Sequence, residues 1–274
     1  MSSLVLRMTL LAAVTVITAD ASVEAREPYA STYQPRSAAP TLIVGATLLD
    51  GAGGRLENAS VYIVDGRIAA VGSNLDAPDA HIVDARGLWL TPGIIDVHSH
   101  LGNYPAPGIP AVSDGNESVD PNTARVWAEH AVWPQDPQFP LALAGGVTTL
   151  QILPGSANLF GGRGVTLKNV PARSVQAMKF PGASQGLKMA CGENPKRVYG
   201  GRNQAPATRM GNVAGYRAAW IEAQGYRDKQ ARAAADDDKD PPDRDLGLET
   251  LVAALDGEIL VHNHCYRADE MAVM

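Results

Sequence analysis

The chain has 274 residues, of which 45% are hydrophobic and 19% charged, with a formal net charge of −6. This composition supports a sizeable core in one or two domains and excludes global disorder. The acidic balance excludes a generally basic nucleic-acid binder, so no nucleic-acid partner is expected. Two cysteines are too few for a disulfide-rich scaffold or a cysteine-based zinc module. We therefore expect Cys191 and Cys265 to be buried and unpaired.

The N-terminus has the pattern of an export signal. Arg7 precedes an apolar run over residues 8–18, and the Ala-Asp-Ala sequence that ends at residue 21 fits the small-x-small cleavage rule. The run is short for a membrane span, and a buried or membrane-anchoring helix is the alternative. The pattern predicts a signal peptide over residues 1–21, a disordered leader over 22–40, and a periplasmic or secreted protein.

Residues 41–90 have the alternating pattern of short strands. Apolar and polar residues alternate on both sides of Asp65-Gly66, a dipeptide typical of tight hairpins. Further short apolar runs follow at 81–84 and 87–90. The segment predicts a small β domain over residues 41–90.

From residue 91 onward, strands and helices alternate, which favours a parallel sheet or barrel. Five strands are expected, near residues 94–99, 147–153, 174–179, 186–191 and 258–263. Helices are expected within residues 121–132, 140–143, 212–235 and 246–255, and a further helix begins at Arg267. The glycine-rich stretch 155–164 is expected to be a flexible loop beside the site, because it lacks the Lys-Ser/Thr ending of a phosphate-binding loop.

The sharpest chemical signal is a pair of histidines at the end of the strand 94–99. His98 and His100 are two residues apart, so on a strand their imidazoles point to the same side and can chelate one cation. Asp96 has the same parity, and we expect it to orient a metal-ligating side chain by a hydrogen bond without contacting the metal itself. The carboxyl ends of strands carry the active site in parallel β/α barrels. The pattern predicts a metal site at this strand end.

These residues also carry a family resemblance. The run from Thr91 to His100, Thr-Pro-Gly-Ile-Ile-Asp-Val-His-Ser-His, resembles the Pro-Gly-x-x-Asp-x-His-x-His opening of the amidohydrolase superfamily. Residues 64–68 and 84–87 are similar to the superfamily's N-terminal half-sandwich, and residues 145–149 to the entry of its second barrel strand. The resemblance covers about residues 41–274 and is nearest to the imidazolonepropionase-like and dipeptidase-like branch.

The resemblance implies an α/β fold and a hydrolytic activity. The fold would be an incomplete (β/α)8 TIM-type barrel over residues 91–274, with about five of eight strands, preceded by half of a composite β-sandwich. The activity would be hydrolysis of an amide-type C–N bond in a small amide or dipeptide, by metal-activated water that attacks a carbonyl. One or two divalent ions are implied, with zinc the expected metal.

The later ligands are carried over from the same resemblance. Lys188 matches the lysine that is carboxylated in two-metal members, and a buried lysine can lose its charge and take up carbon dioxide. Glu193 is a rival ligand, used in one-metal members. His262 matches the next metal ligand. His264 has the same parity and is expected to contact substrate or to support a ligand.

The superfamily pattern also needs a histidine and a general-base aspartate on later strands, and these are expected beyond Met274. The chain then resembles an N-terminal fragment or a truncated gene product, and whether it is active alone stays open. One alternative is a truncated relative that binds a metal or a partner without catalysis. Another is a deacetylase or deaminase of the same superfamily, which a Glu193 ligand in place of Lys188 would favour. Self-association as a homo-oligomer stays open.

Overall fold

The computed structural model describes residues 29–236 and 238–274, so the predicted signal peptide lies outside the described residues. Residues 31–40 form no helix or strand. The Ser31 hydroxyl donates to the Lys179 carbonyl at 2.7 Å, and the Thr32 N–H donates to the Gln176 carbonyl at 2.9 Å. No helix in the described part of the chain is long and apolar enough to cross a membrane.

The first sheet matches the strand pattern expected over residues 41–90. Its strands are β1 (Thr41–Leu49), β2 (Arg55–Val64), β3 (Arg67–Ser73), β4 (His81–Asp84) and β5 (Trp89–Leu90). β1 pairs antiparallel with β2 and parallel with β4 and β5. Asp65 and Gly66 have φ values of 50° and 69°, so the hairpin predicted from this dipeptide is confirmed.

The second sheet carries the candidate site. Its strands are β6 (Ile94–Ser99), β7 (Val147–Ile152), β8 (Phe160–Lys168), β9 (Gly186–Ala190) and β10 (Leu260–His264), in the order β10-β9-β8-β7-β6. β6 is parallel to β7, and β9 is parallel to β10. β8 is antiparallel to both of its neighbours. The fold is therefore mixed α/β, and the expectation of a wholly parallel sheet is wrong at β8.

One of the five expected strands is wrong, and β8 takes its place. Residues 174–179 form turns around the buried Val175 and Met178, with a single bridge between Leu167 and Lys179. Residues 160–168, expected to be mostly loop, form the central strand of the sheet. The strand was not predicted from the sequence because it contains three glycines, and glycine has low strand propensity.

The glycines of β8 make room for residues 121–132, which precede β8 in the sequence and pack against it. A Cβ at Gly162 would lie 2.3 Å from the Val126 carbonyl oxygen, and Gly162 has a φ of 112°. Residues 121–132, expected to be helical, instead run along β8 with bridges at Asn122 and Trp127, and contain only the 3-10 turn Ala128–His130. Close backbone packing against β8 replaces the expected helix.

The helices are α1 (Gln138–Ala144), α2 (Glu193–Gly200), α3 (Arg209–Ala234), α4 (Leu246–Leu255) and α5 (Ala268–Val273), and a second 3-10 turn spans Pro110–Val112. The expected helices at 140–143, 212–235, 246–255 and after Arg267 are confirmed. Thr208 caps α3 by accepting the Gly211 N–H, and Asp245 caps α4 in the same way.

Helices α3 and α4 cover one face of β9 and leave the other face for polar groups. Leu187 and Met189 are buried in a core with Tyr216 and Leu251 from the two helices. Because strand side chains alternate, Lys188 points to the opposite face. This packing fixes the side of the sheet on which the candidate site lies.

Cys191 and Cys265 form a disulfide with a Cα–Cα distance of 5.1 Å, so the expectation of unpaired cysteines is wrong. The two residues directly follow β9 and β10, whose parallel register pairs Ala190 with His264. The Cys191 N–H also donates to the His264 carbonyl at 2.7 Å. The adjacent strand ends bring the two sulfur atoms together, which sequence spacing could not reveal.

Candidate metal centre

The two histidines of β6 lie side by side. The ring centroids of His98 and His100 are 5.1 Å apart, and the rings are nearly perpendicular. The Nδ1 atom of His100 lies 2.8 Å from the Leu153 carbonyl oxygen. A carbonyl only accepts, so Nδ1 carries the proton and Nε2 keeps its lone pair. His100 is therefore held in the tautomer that can ligate a cation through Nε2.

Lys188 is fully buried without an acidic partner among the described ion pairs. Its Nζ donates to the Pro154 carbonyl oxygen at 3.1 Å and to the Ser156 Oγ at 2.8 Å. Both acceptors are neutral, so they solvate the amine without balancing a charge. A buried lysine in such surroundings favours the uncharged amine.

The two histidines of β10 face the same side of the sheet as Lys188. His262 lies opposite Lys188 in the parallel register of β10 and β9. The His264 Nδ1 lies 2.9 Å from the Ser156 Oγ, and its Nε2 is buried with no hydrogen-bond partner among the described residues. The Tyr266 ring packs edge-on against His264, with centroids 4.6 Å apart.

Residues 153–156 form hydrogen bonds with site residues on β9 and β10 and with His100, which follows β6. They follow β7 and contact His100 through Leu153, Lys188 through Pro154 and Ser156, and His264 through Ser156. In a flat sheet, β6 and β10 would lie roughly 19 Å apart, at four strand spacings. Contacts from one short segment to both edges show that the sheet is curled around the site.

Burial favours the uncharged forms of the imidazoles and of the lysine at the site. Burial lowers the pKa of His98 to about 4, and the charge of Lys188 adds to the effect. Burial also lowers the pKa values of His100, His262 and His264, each with a contribution from Lys188. The pKa of Lys188 is lowered by burial to about 8. The charge of Lys188 thus acts on all four histidines.

The two acidic candidates lie in different places. Asp96 accepts the backbone N–H of His98 at 3.1 Å, and its charge reaches His100, whose pKa it raises slightly against the effect of burial. Glu193 is exposed in the first turn of α2. The structure thus brings Lys188, rather than Glu193, to the histidines.

A cavity of about 680 Å³ adjoins the cluster on the side of the 153–156 segment. Pro154 and Gly161 line it, and a Cβ at Gly161 would lie 3.6 Å from the Lys188 Cγ. The other lining residues include Asn103, Asn116, Glu117, Arg125 and Trp127. The cavity has room for a small molecule. It adjoins Lys188 through Pro154 and Gly161, and neither Lys188 nor the four histidines of the cluster are among its lining residues.

The residues of the 153–156 segment were not predicted individually. Ser156 lies in the stretch that the sequence assigned to a loop beside the site, and that placement holds for residues 155–159, which precede β8. The polar, glycine-containing sequence directly after a buried strand was the only available signal. Its hydrogen bonds depend on the curl of the sheet, which no local pattern encodes.

The chain is similar to amidohydrolases in both sequence and structure. Amidohydrolase tasK of Hapsidospora irregularis is 36% identical over 234 residues, which cover 78% of this chain and 24% of the relative. The crystal structure of an amidohydrolase from Thermotoga maritima matches with a TM-score of 0.79 at 39% identity, over 85% of this chain and 60% of that one. This chain belongs to the amidohydrolase superfamily.

The resemblance of residues 91–100 to the amidohydrolase superfamily is therefore confirmed. A dihydroorotase of Pelotomaculum thermopropionicum is 43% identical over 60 residues, which cover 22% of this chain and 14% of the relative. No family model matches the chain. The chain spans about a quarter of the fungal relative and three-fifths of the Thermotoga protein.

Among the described residues, no three His, Cys, Asp or Glu side chains are grouped closely enough to ligate one ion. The cluster is instead four imidazoles around a lysine. Its chemistry suits a metal only if the imidazoles stay neutral and Lys188 contributes as an uncharged or modified group. The tautomer of His100 and the lowered pKa values of the cluster meet the first condition.

Proposed function

We propose that this chain carries the metal-binding half of a hydrolase that cleaves amide-type C–N bonds in small amides or dipeptides. The observation that carries the proposal is the convergence of His98, His100, His262 and Lys188 from three strands of one curled sheet. Membership of the amidohydrolase superfamily supports the bond type. The 680 Å³ cavity beside Lys188 supports a small-molecule substrate.

The donor set fits a divalent cation, with zinc the expected ion. Imidazole nitrogen is a common zinc ligand. His98 and His100 would hold the ion, and His262 and the unpartnered Nε2 of His264 are further nitrogen donors at the cluster. Lys188 would add an anionic ligand after carboxylation, which permits a second ion.

The surroundings of Lys188 favour that carboxylation. A neutral amine has two N–H groups and one lone pair, and its two N–H groups have acceptors in Pro154 and Ser156. The lone pair is left to attack carbon dioxide, forming a carbamate with release of one proton. The carbamate keeps one N–H for the same acceptors. The lowered pKa of Lys188 increases the share of the reactive amine at neutral pH.

The residues of this chain would have separate roles in the proposed hydrolysis. A bound ion supplies Lewis acidity, which polarises the amide carbonyl and acidifies water. The histidines hold the ion, the carbonyl of Leu153 fixes the tautomer of His100, and the cavity receives the substrate.

We extend the proposal to the architecture. Residues 91–274 would form about five strands of a (β/α)8 barrel with an antiparallel strand, β8, between its second and later parallel strands. Residues 41–90 would form half of a composite sandwich. The structural match to the Thermotoga amidohydrolase, with a TM-score of 0.79, supports this architecture.

We also propose that the protein is exported to the periplasm or secreted. The sequence of residues 1–21 motivates this proposal, and the Cys191–Cys265 disulfide supports it, because disulfides persist mainly in oxidising compartments.

The test is a hydrolysis assay on the full chain with N-acyl amino acids and dipeptides, measured by release of new amine groups in the presence of zinc. We expect release that a chelator abolishes and that the His98→Ala/His100→Ala variant lacks. His81→Ala, at an exposed histidine on β4, is the matched control and should retain the activity. Zinc-bound protein with no release from any substrate would contradict hydrolysis by this chain.

That outcome would favour a second candidate, a metal-binding chain that does not catalyse alone. Asp96 is the acid whose charge reaches the cluster, and it is hydrogen-bonded to the backbone of its own strand. Among the residues that the structure describes, the cluster therefore has nitrogen ligands and no carboxylate placed to act as a base. Under this second candidate, the chain binds zinc stoichiometrically and releases no amine from any of these substrates.

A further inference from the structure

The hydroxyl of Ser156 lies between two residues of the candidate site. Its Oγ is 2.8 Å from the Lys188 Nζ and 2.9 Å from the His264 Nδ1. Lys188 is on β9 and His264 on β10, whereas Ser156 follows β7. One serine side chain thus links three elements of the curled sheet at the cluster.

The position of the proton on His264 follows from what each ring nitrogen meets. Nε2 is buried with no partner among the described residues, so a proton there would be an unpaired buried donor. A proton on Nδ1 is donated to the Ser156 Oγ and leaves a lone pair on Nε2. His100 has the same arrangement, with its Nδ1 on the Leu153 carbonyl.

The ring of His264 is also restrained from a second direction. Tyr266 packs edge-on against it at 4.6 Å between centroids. With Nδ1 bonded to Ser156 and Tyr266 packed perpendicular to the ring, the ring has little freedom to rotate. Groups that orient a ligating histidine through its second nitrogen commonly govern metal affinity.

We propose that Ser156 is a positioning residue that accepts the Nδ1–H of His264 and thereby presents the Nε2 lone pair as a metal ligand. This assigns His264 to the metal, whereas the family resemblance assigned it to substrate or to support of a ligand. The role of the metal rests on the proposed function. The tautomer of His264, by contrast, is a property of the metal-free chain and can be measured without activity.

The first test is the tautomer itself, read from long-range ¹H–¹⁵N correlation spectra of the histidine rings in the metal-free full chain. His264→Gln assigns the signal. We expect the Nδ1–H tautomer in the wild type and in Ser156→Thr, which keeps the hydroxyl, and a shift toward Nε2–H in Ser156→Ala. A wild-type ring with its proton on Nε2, or a Ser156→Ala spectrum unchanged at His264, overturns the proposal.

The second test is zinc affinity, measured by competition with a chromogenic chelator. We expect Ser156→Ala to bind zinc about 10–100-fold more weakly, with Ser156→Thr and the exposed control Ser73→Ala close to the wild type. Equal affinity in Ser156→Ala and wild type overturns the positioning role. A folded wild type that binds no zinc contradicts the proposed function and the ligand role of His264, while the spectra still decide the Ser156 contact.

Discussion

His262 on β10 lies directly opposite Lys188 on β9 in the parallel register of the two strands. Neighbouring strands are about 4.8 Å apart, so side chains at paired positions on one face can reach a common ion. Both residues were carried over from a family pattern, at positions far apart in the sequence. Their pairing brings the two residues to one face of the sheet at the candidate site.

Lys188 gives a prediction on the pH dependence of stability. Its pKa is about 8 in the folded chain, against an ordinary value of 10.5. Between these values the unfolded chain binds more protons than the folded one, so the free energy of unfolding should rise with pH. Below pH 8 both states are protonated and the contribution is constant. Urea unfolding of metal-free protein in bicarbonate-free buffer, from pH 7 to 10, measures the rise.

Lys188→Met should remove this rise and lose zinc binding. At pH 7 the variant should be more stable than the wild type, by about 3 kcal/mol at most, because a buried ammonium is replaced by an apolar side chain of similar length. Lys196→Met, at an exposed position on α2, is the control and should change neither property. A Lys188→Met protein that is less stable at pH 7 would show that the amine is not a destabilising group.

The disulfide gives a prediction on stability that is independent of the metal. Cys191 and Cys265 are separated by 74 residues, so their bridge closes a long loop. Replacing both by alanine should lower the free energy of unfolding by about 2–4 kcal/mol. Reducing the wild type should have a similar effect and should leave the variant unchanged. Two titratable thiols in unfolded, unreduced protein would refute the bridge.

Gly162 gives a prediction on the packing of β8. A Cβ there would lie 2.3 Å from the Val126 carbonyl oxygen, and the φ of 112° disfavours any other residue. Gly162→Ala should destabilise the protein by about 1–3 kcal/mol. Gly225→Ala on α3 meets no atom within 4 Å and should be neutral or stabilising by up to about 1 kcal/mol. Equal melting temperatures for the two variants would contradict the close approach.

Local signals were sufficient for much of the fold. The Asp65-Gly66 dipeptide predicted its hairpin, and the apolar spacing over 212–235 predicted α3, because each depends on neighbouring residues alone. The strand β8 was missed because its glycines serve contacts with residues 121–132, which are distant in the sequence. The disulfide was missed for the same reason, since only the register of β9 and β10 brings Cys191 and Cys265 together.

Some features of the candidate site could likewise be predicted from the sequence, whereas others required the structure. Parity along β6 and β10 predicted that His98 and His100, and likewise His262 and His264, share a face. The choice between Lys188 and Glu193 needed the structure, which buries Lys188 in the cluster and exposes Glu193 on α2. Ser156 could not be predicted, because its two contacts exist only once the sheet has curled.

The most direct test of the account is the metal content of the purified chain, determined by elemental analysis. The account predicts a stoichiometric divalent ion, zinc first among them, in the wild type and in His81→Ala, and its loss in His98→Ala/His100→Ala that remains folded by circular dichroism. A folded wild-type protein that holds no metal after incubation with zinc and bicarbonate would contradict the claim that these residues form a metal centre.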